Sequence, residues 1–425
     1  MIPLHDAGAA PAAAAAREST AERLARYTRA GTLSFTALPP LSLYVHLPWC
    51  LKKCPYCDFN SHAWPDAALP RELEARYVDA LVADLETSLP YVWGRRIASV
   101  FIGGGTPSLF APAAIDRLLA AVRARLPLEA GCEVTLEANP GTFERDRFRA
   151  FADAGVTRLS VGVQSFDDRR LAALGRVHDR AQAIAAVEEA QRAFATFNLD
   201  LMYALPGQTP AGLDADLDTA LALAPPHLSL YHLTIEPNTL FASRPPPGLP
   251  DEDVAAAMLD RVVERSAADG LERYEVSAYA RPGHRCVHNL NYWQFGDYLG
   301  IGAGAHGKLT FAHRVVRQVR LRDPQRYLDA ALRSGDALAQ DTEVARGELA
   351  FEFMLNALRL VDGFELARFG ERTGLPLSAI ERPLAEAERK GLVERDLQRV
   401  RPTARGLDFL SDLQALFLAS PEKRG

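Results

Sequence analysis

The sequence predicts an α/β fold, with a parallel sheet covered by helices and followed by a small α+β domain. From residue 41 onward, short β-branched or aromatic runs alternate with longer segments of helical periodicity. Such βα repeats are typical of parallel sheets. Near the C-terminus, a short helical pattern precedes two brief strand-like runs, which predicts a separate small domain.

Six strands are predicted in the first part of the chain. They are LSLYVH (41–46), IASVFI (97–102), CEVTLE (132–137), RLSVGV (158–163), FNLDLM (197–202) and HLSLYHL (227–233). The segments between them carry apolar residues spaced three and four apart, as amphipathic helices do. Parallel βα folds bind ligands at the carboxyl ends of their strands, so we expect functional residues directly after these runs. The pattern alone leaves open whether the sheet is open or curled into a partial barrel.

Four regions follow from this pattern. Residues 1–38 form a low-complexity, alanine-rich extension, predicted to be disordered apart from a short helix around Ala21 to Tyr27. Residues 39–275 form the core, and residues 276–345 a loop-rich connecting region. In residues 346–420, the helical segment ERPLAEAERKG precedes the strand-turn-strand pattern LVERDLQRVRPTARG, the order found in a winged-helix-like domain.

Composition narrows the class of protein. The formal net charge of −6 argues against a nucleic-acid partner bound over a broad basic surface. No apolar run approaches the roughly 18 residues that a membrane span needs, so we expect a soluble protein. Five cysteines, an odd number, do not suggest a secreted disulfide framework, and the N-terminus lacks a secretory signal. These features predict a cytoplasmic protein.

Three of the five cysteines lie in one stretch, YVHLPWCLKKCPYCDFN at residues 44–60. Cys50, Cys54 and Cys57 follow the first predicted strand, where three thiolates can converge on one face of an iron–sulfur cluster. Three thiolates would leave one iron of a four-iron cubane open to another ligand. The alternatives are a zinc site with a distant fourth ligand or plain buried cysteines. Zinc sites usually carry two CxxC-like pairs, and the sequence has no second pair.

The spacing Cys-x3-Cys-x2-Cys, with an aromatic residue before the last cysteine, resembles the radical S-adenosylmethionine (SAM) superfamily. The resemblance extends from about residue 39 to residue 415. It implies a partial (β/α)6 barrel and a [4Fe-4S] cluster on Cys50, Cys54 and Cys57. It also implies SAM bound to the open iron through its amine and carboxylate, and an electron donor protein. In that superfamily, reductive cleavage of SAM yields a 5′-deoxyadenosyl radical.

Further motifs carry the resemblance along the chain. GGGTP (103–107) follows the second strand, and EANP, GVQSF, GRVH and LDLMYALPGQT follow in order. A strand-end polar residue alone is most often a cap or a loop hydrogen bond. Taken together, the resemblance assigns to SAM the residues Tyr44, Tyr56, Gly104, Gly105, Thr106, Glu137, Gln164, Arg176 and Asp200.

Two subgroups of this superfamily share these motifs. The HemN group comprises oxygen-independent coproporphyrinogen III oxidases, which decarboxylate two propionates, and the HemW group comprises heme chaperones. The enzymes carry a further cysteine two residues after the third, whereas this chain has Phe59, as in the chaperones. The enzymes also have an N-terminal region that helps to enclose substrate, and the alanine-rich start here shows no such pattern.

The segment HNLNYW matches the HNxxYW heme-binding motif of the chaperone group, through His288, Asn289, Tyr292 and Trp293. A neutral imidazole can ligate heme iron, and aromatic rings provide flat apolar surface for a porphyrin. The alternative is a hydrogen-bonded loop histidine beside two core aromatics. The sequence therefore predicts a heme chaperone with heme and a heme-acceptor protein as partners. The enzyme reading, anaerobic decarboxylation of coproporphyrinogen III, stays open.

Other side chains are candidates for the same cavity. His46 lies near the cysteine loop and could contact a cofactor, and His232 and His306 could line the cavity. Cys286 is two residues before His288 and could be a second heme contact, although a buried free thiol is the simpler interpretation.

Overall fold

The computed structural model describes residues 18–64, 66, 68–141 and 147–418. Its strands are β1 Leu41–Leu47, β2 Trp49–Cys50, β3 His62–Ala63, β4 Ile97–Gly104, β5 Leu128–Ala138, β6 Arg158–Gln164, β7 Thr196–Tyr203, β8 His227–His232, β9 Glu272–Glu275, β10 Ala278–Ala280, β11 Asp297–Ile301, β12 His306–Phe311, β13 Arg314–Arg320, β14 Leu338–Glu343, β15 Phe364–Glu365, β16 Val393–Arg395 and β17 Arg399–Pro402.

The helices of the described ranges alternate with these strands. They are Thr20–Thr28, Arg71–Ser88, Pro112–Arg125, Phe148–Asp153, Asp168–Ala173, Arg180–Ala193, Pro210–Ala222, Leu240–Ser243, Glu252–Ala268, Val287–Trp293, Pro324–Ser334, Leu349–Ala357, Leu366–Thr373, Glu381–Arg389, Ala404–Asp408 and Leu410–Ala415. None of them is both long and apolar enough to cross a bilayer.

The six predicted strands form the centre of one twelve-stranded sheet, which confirms the α/β prediction. β1, β4, β5, β6, β7 and β8 lie side by side in chain order and are all parallel. This is the order that a (β/α)6 unit requires, because each crossover helix returns the chain to the neighbouring position. β9 and β10 extend the sheet beyond β8, and β11 to β14 extend it beyond β1.

The two faces of the parallel strands differ in character. On β1, the leucines and valine at 41, 43, 45 and 47 are buried in the main hydrophobic core, together with residues of the covering helices. The alternate residues point to the opposite face, because side chains alternate along a strand. This second face, the inner face, is largely polar. Its members in the aligned registers include Ser42, Tyr44, His46, Ser99, Phe101, Glu133, Thr135, Glu137, Ser160, Asn198 and Asp200.

The connecting region is more regular than predicted. Instead of a loop-rich segment, it forms the helix Val287–Trp293 and then β11, β12 and β13. β11 pairs in parallel with β1, from Leu41 opposite Asp297 to Val45 opposite Ile301. The glycines of GIGAGAHG weaken the strand signal in the sequence, although tertiary pairing still makes these residues part of the sheet.

The N-terminal extension is also more ordered than predicted. Thr20–Thr28 is a helix, begun by a capping box between Ser19 and Glu22. The hydroxyl of the buried Tyr27 donates to the Asp341 carboxylate at 2.7 Å, which fastens this helix to β14. The short helix predicted around Ala21 to Tyr27 is therefore confirmed, while residues 1–17 lie outside the described residues.

The C-terminal segment forms a small domain with its own core. β15, β17 and β16 make an antiparallel three-stranded sheet, and the helix Glu381–Arg389 precedes the β16–β17 hairpin. Phe353 packs edge-on against Phe364 and Phe369 in this core. The helix and the two strands predicted for the winged-helix-like unit are all present.

Candidate functional site

The cysteine loop is closed by a short pair of strands. β2 ends at Cys50, and it pairs in parallel with β3 through Trp49 opposite His62. Between them, the amide of Cys57 donates to the carbonyl of Cys54 at 3.2 Å, which forms a turn. All three thiols are free and half-buried. The chain therefore leaves the sheet, presents three thiols within one compact loop and returns beside its starting point.

The loop favours thiols over thiolates until a metal or cluster binds. Burial raises the pKa of the Cys50 thiol to about 11, although a hydrogen bond from Thr106 opposes this. Burial also raises the pKa of Cys57. Cysteine ligates metals as the thiolate, so metal or cluster binding here would release protons.

The three thiols are not arranged around one ion. Within the described ranges, no three His, Cys, Asp or Glu side chains form a set that could hold a single metal ion. Zinc needs its ligands tetrahedrally around one centre, whereas an iron–sulfur cubane spreads its thiolates over several irons.

The glycine turn after β4 packs directly against the cysteine loop. Gly104 has a φ of +120°, and a Cβ there would lie 2.6 Å from the His46 ring. A Cβ on Gly105 would lie 2.6 Å from the carbonyl oxygen of Trp49. The amide of Thr106 donates to that same carbonyl at 2.8 Å. Only glycine allows this close backbone approach, which places the turn against the loop.

Glu137 and Asp200 form an acidic pair on the inner face near the turn. Burial raises the pKa of Glu137 to about 7, and the neighbouring Asp200 adds to this rise, while a hydrogen bond from the Gly104 amide opposes it. Burial also raises the pKa of Asp200, whose carboxylate accepts hydrogen bonds from Ser160 and Asn198 at 2.8 Å. The positive charge of Arg176 opposes this rise in the pKa of Asp200. A bound cationic group would relieve the mutual repulsion of the two carboxylates.

Arg176 supplies a half-buried positive charge between this pair and the cysteines. Its guanidinium donates to the Cys54 sulfur at 3.5 Å, to the Asn139 side chain at 2.6 Å and to the carbonyl of Gly162 at 2.8 Å. The buried Arg176 Nε has no hydrogen-bond partner among the described residues. Guanidinium groups form strong hydrogen bonds with carboxylates, so the Arg176 guanidinium fits the carboxylate of an amino acid, such as that of the methionine part of SAM.

Gln164 and Tyr56 complete the predicted SAM set. Gln164 ends β6 with a φ of +69°, which is unusual for a residue other than glycine, and the β6–β7 register is irregular there. Left-handed residues of this kind are concentrated at ligand sites. Tyr56 packs against Phe241 with ring centroids 6.4 Å apart, which covers one side of the cysteine loop. The predicted SAM residues thus gather at the carboxyl end of the parallel strands.

Tyr44 connects this group to the loop through His46. The Nε2 of His46 lies 2.9 Å from the carbonyl oxygen of Asn60, which can only accept, so Nε2 carries the hydrogen. Nδ1 therefore accepts from the Tyr44 hydroxyl at 2.9 Å. Burial lowers the pKa of His46 to about 4, which keeps the ring neutral. His46 thus supports the loop from beneath, as a positioning residue.

The HNLNYW motif lies on a helix, which corrects the prediction of a loop. His288 is 2% exposed, and burial lowers its pKa to about 3, so the imidazole is neutral. Nδ1 is 3.0 Å from the Ser99 hydroxyl, whereas the buried Nε2 has no hydrogen-bond partner among the described residues. The rings of Phe101 and Tyr292 are each 4.9 Å from the His288 ring, centroid to centroid.

The rest of the motif surrounds His288 with aromatic surface. Tyr292 contacts Tyr298 with centroids 4.3 Å apart, and the Trp293 ring carries the guanidinium of Arg359 at 4.3 Å. The Trp293 Nε1 is also buried without a hydrogen-bond partner in the described part of the chain. Asn289 is half-buried on the same helix.

Sequence reasoning missed residues that hold this helix. Asn291, a variable position of the motif, donates to the Ser42 hydroxyl at 2.9 Å. The Glu133 carboxylate accepts from the amides of Val287 at 2.9 Å and His288 at 3.4 Å, so it caps the helix from β5. Ser42, Ser99 and Glu133 lie near the amino ends of their strands. Tyr44 of the predicted SAM set has its ring centroid 6.4 Å from that of His288, so the motif and the SAM set adjoin along the inner face.

The other candidate residues are less central. His232 is exposed at the end of β8, beside Tyr203, and His306 is exposed at the start of β12. Cys286 is 3% exposed, and its thiol donates to Glu133 at 3.5 Å. Burial raises the pKa of Cys286 to about 12. This environment agrees with the buried free thiol interpretation.

Comparison with known proteins extends over nearly the whole chain. The Radical SAM superfamily model matches residues 44–220, and the HemN C-terminal domain model matches residues 344–409. The heme chaperone HemW of Escherichia coli (strain K12) is 47% identical over 384 residues, covering 90% of this chain and 99% of that protein. The Haemophilus influenzae heme chaperone HemW is 43% identical over 383 residues, covering 90% and 98%.

A solved structure shows the same fold. Coproporphyrinogen III oxidase (HemN) from Escherichia coli, described as a radical SAM enzyme, superposes with a TM-score of 0.76 and covers 93% of both chains. Its sequence identity is 23%, so the likeness concerns the fold. The described parts of this chain thus match known proteins both in sequence and in architecture.

Proposed function

Because this chain belongs to the HemW family of the radical SAM superfamily, we propose that it is a heme chaperone that binds heme and transfers it to an acceptor protein. The observation that carries the proposal is the state of His288. Its imidazole is neutral, surrounded by aromatic rings, and its buried Nε2 has no hydrogen-bond partner among the described residues. A neutral imidazole with a ring nitrogen free of hydrogen bonds can ligate heme iron.

The tautomer of His288 depends on Ser99. If the Ser99 hydroxyl accepts from Nδ1, Nε2 presents a lone pair, the form that ligates iron. Ser99 is itself 2.8 Å from the Ser42 hydroxyl, to which Asn291 donates. Asn291 therefore anchors the two hydroxyls beside His288, and the ligating tautomer requires the Ser99 hydroxyl to direct its hydrogen away from Nδ1. Heme ligation also requires Val287–Trp293 to move, because His288 is enclosed by the rings of its neighbours.

We also propose that the chain carries a [4Fe-4S] cluster on Cys50, Cys54 and Cys57, with SAM beside it. When bound and reduced by an electron donor protein, the cluster supplies the electron for reductive cleavage of SAM. In this proposal, Glu137 would accept hydrogen bonds from the SAM amino group, and Arg176 would pair with the SAM carboxylate. Tyr56 and Phe241 shield the loop from water on one side.

Phe59 favours the chaperone over the enzyme. It stands where the coproporphyrinogen oxidases carry a further cysteine, and its side chain is 40% exposed. Its carbonyl accepts from the amide of Ser61 at 2.7 Å and from Lys53 at 3.2 Å, so the backbone here stabilises the cysteine loop. A reducing, cytoplasmic setting fits the proposal, because all five cysteines are free.

One anaerobic experiment tests the function. Wild type, His288→Ala and the control His313→Ala are reconstituted with iron and sulfide, then titrated with heme by Soret absorbance and assayed with coproporphyrinogen III. His313 is the control, because it is a half-buried histidine outside the motif, hydrogen-bonded to the carbonyl of Leu33.

We expect the wild type and His313→Ala to bind heme equally and His288→Ala to bind at least tenfold more weakly. None of the three should convert coproporphyrinogen. Equal heme affinity in all three would remove His288 as the ligand. Steady production of protoporphyrinogen by the wild type would instead establish the oxidase and overturn the chaperone proposal.

A further inference from the structure

Each of the three clustered cysteines has a hydrogen-bonding side chain from outside the Cys-x3-Cys-x2-Cys motif beside it. The pairs are Thr106 with Cys50, Arg176 with Cys54 at 3.5 Å, and Ser61 with Cys57 at 3.6 Å. Toward a thiolate, the hydroxyl and guanidinium groups can only donate. Hydrogen bonds to an ionised acceptor are the strong ones.

Asn139 holds two of these three donors. Its side-chain nitrogen donates to the Thr106 hydroxyl at 3.0 Å, and its side-chain oxygen accepts from Arg176 at 2.6 Å. Because the Thr106 hydroxyl accepts from Asn139, its own hydrogen is free to point at the Cys50 sulfur. Asn139 follows directly after β5, two residues beyond Glu137. One amide thus fixes the orientation of donors to two different cysteines.

Ser61 provides the third donor from within the cysteine loop. It is 4% exposed and immediately precedes β3, the strand that closes the loop against β2. The backbone amide of Ser61 donates a hydrogen bond to the Phe59 carbonyl, and this turn brings the Ser61 hydroxyl back to Cys57. A buried hydroxyl facing a cysteine sulfur has a polar role that packing alone does not require.

We propose that Asn139 and Ser61 are positioning residues that set the reduction potential of the cluster, an inference that rests on the proposed presence of that cluster. One-electron reduction adds one negative charge to the cluster and its thiolates. Donors aimed at the sulfurs stabilise the reduced state more than the oxidised state, so they raise the potential. Asn139 acts on Cys50 and Cys54 through Thr106 and Arg176, and Ser61 acts on Cys57 directly.

The test measures the cluster itself and not its reactions. Wild type, Ser61→Ala, Asn139→Ala, Thr106→Val and the double variant Asn139→Ala/Thr106→Val are reconstituted anaerobically without SAM. Iron content, the midpoint potential in a dithionite titration and the EPR spectrum are recorded. Ser266→Ala is the control, because it removes an equally buried hydroxyl on the helix Glu252–Ala268. Ser61→Thr tests rescue, because it keeps the hydroxyl.

We expect Ser61→Ala, Thr106→Val and Asn139→Ala to bind the cluster with a lower midpoint potential than the wild type, and Ser61→Thr to restore it. The double variant should match Asn139→Ala, because Asn139 acts on Cys50 through Thr106, so removing the Thr106 hydroxyl should add nothing once Asn139 is gone. Potentials equal to those of the wild type and of Ser266→Ala, in variants that retain their iron, would overturn the inference. A wild type that binds no iron would instead refute the proposed cofactor.

Discussion

Replacing Gly104 with alanine should destabilise the barrel by an amount that the structure allows to be worked out. The residue has a φ of +120°, where a side chain costs about 1–2 kcal/mol. The added Cβ would also lie 2.6 to 2.8 Å from three atoms of the buried His46 ring. Moving that ring breaks its hydrogen bonds to Tyr44 and Asn60, at about 1 kcal/mol each. The expected total is about 3–4 kcal/mol.

The assay is urea unfolding of the purified full chain, followed by far-UV circular dichroism, with two glycine controls. Gly131 also has a positive φ, +76°, but a Cβ there would meet no atom within 4 Å, so Gly131→Ala reports the backbone cost alone. Gly347 has open space and no positive φ, so Gly347→Ala should be neutral or stabilising by up to about 1 kcal/mol. If Gly104→Ala costs no more than Gly131→Ala, His46 does not restrain the turn, and the reasoning is wrong.

Three further changes have defined outcomes. Burial raises the pKa of Glu137 to about 7, so Glu137 makes the protein more stable as the pH falls from 7 to 4.5. Burial lowers the pKa of His46 to about 4, so the stability that the neutral His46 contributes is lost as the pH falls from 6.5 to 4. Glu137→Gln should therefore lose free energy of unfolding more steeply than the wild type between pH 7 and 4.5, and parallel curves would contradict this. Tyr77→Phe should cost about 1–3 kcal/mol, because the Tyr77 hydroxyl donates to the His46 carbonyl and accepts a backbone amide of the turn after β11; a thermal shift no larger than that of a surface substitution would refute it. Tyr27→Phe should cost about 1–3 kcal/mol through loss of its bond to Asp341, and unchanged proteolysis of the N-terminal helix would count against its docking.

The central strands could be predicted because their signals are local. The runs at 41–46, 97–102 and 158–163 are apolar or β-branched, and each is observed within two residues of its predicted bounds. β11 and the turn after it were missed because their glycines weaken the strand signal in the sequence, although close contacts with distant segments require them. A Cβ on Gly302 would lie 2.3 Å from the His46 carbonyl oxygen, so this glycine is required by a segment some 250 residues away in the sequence.

The same distinction separates the site residues that were predicted from those that were missed. The cysteines and the glycine turn carry recognisable spacing, but Asn139, Ser61 and Glu133 owe their roles to partners on other strands. Glu133 caps the helix Val287–Trp293 from β5, and local capping rules, which consider only residues adjacent to a helix, could not identify it. The N-terminal helix was predicted, but its docking on β14 could not be, because its anchors lie more than 300 residues downstream.

The attachment of the cysteine loop to the turn after β11 has a consequence for when the protein matures. Asn60 donates to the carbonyl of Ala303 at 2.9 Å, and β1 is flanked by β4 on one side and by β11 on the other. At about 5–20 residues per second, a ribosome needs roughly 12–50 s to make the intervening residues. The three cysteines thus leave the ribosome well before their support is made. Loading of the proposed cluster is therefore expected in the last third of synthesis or later, which requires the nascent loop to stay reduced until then.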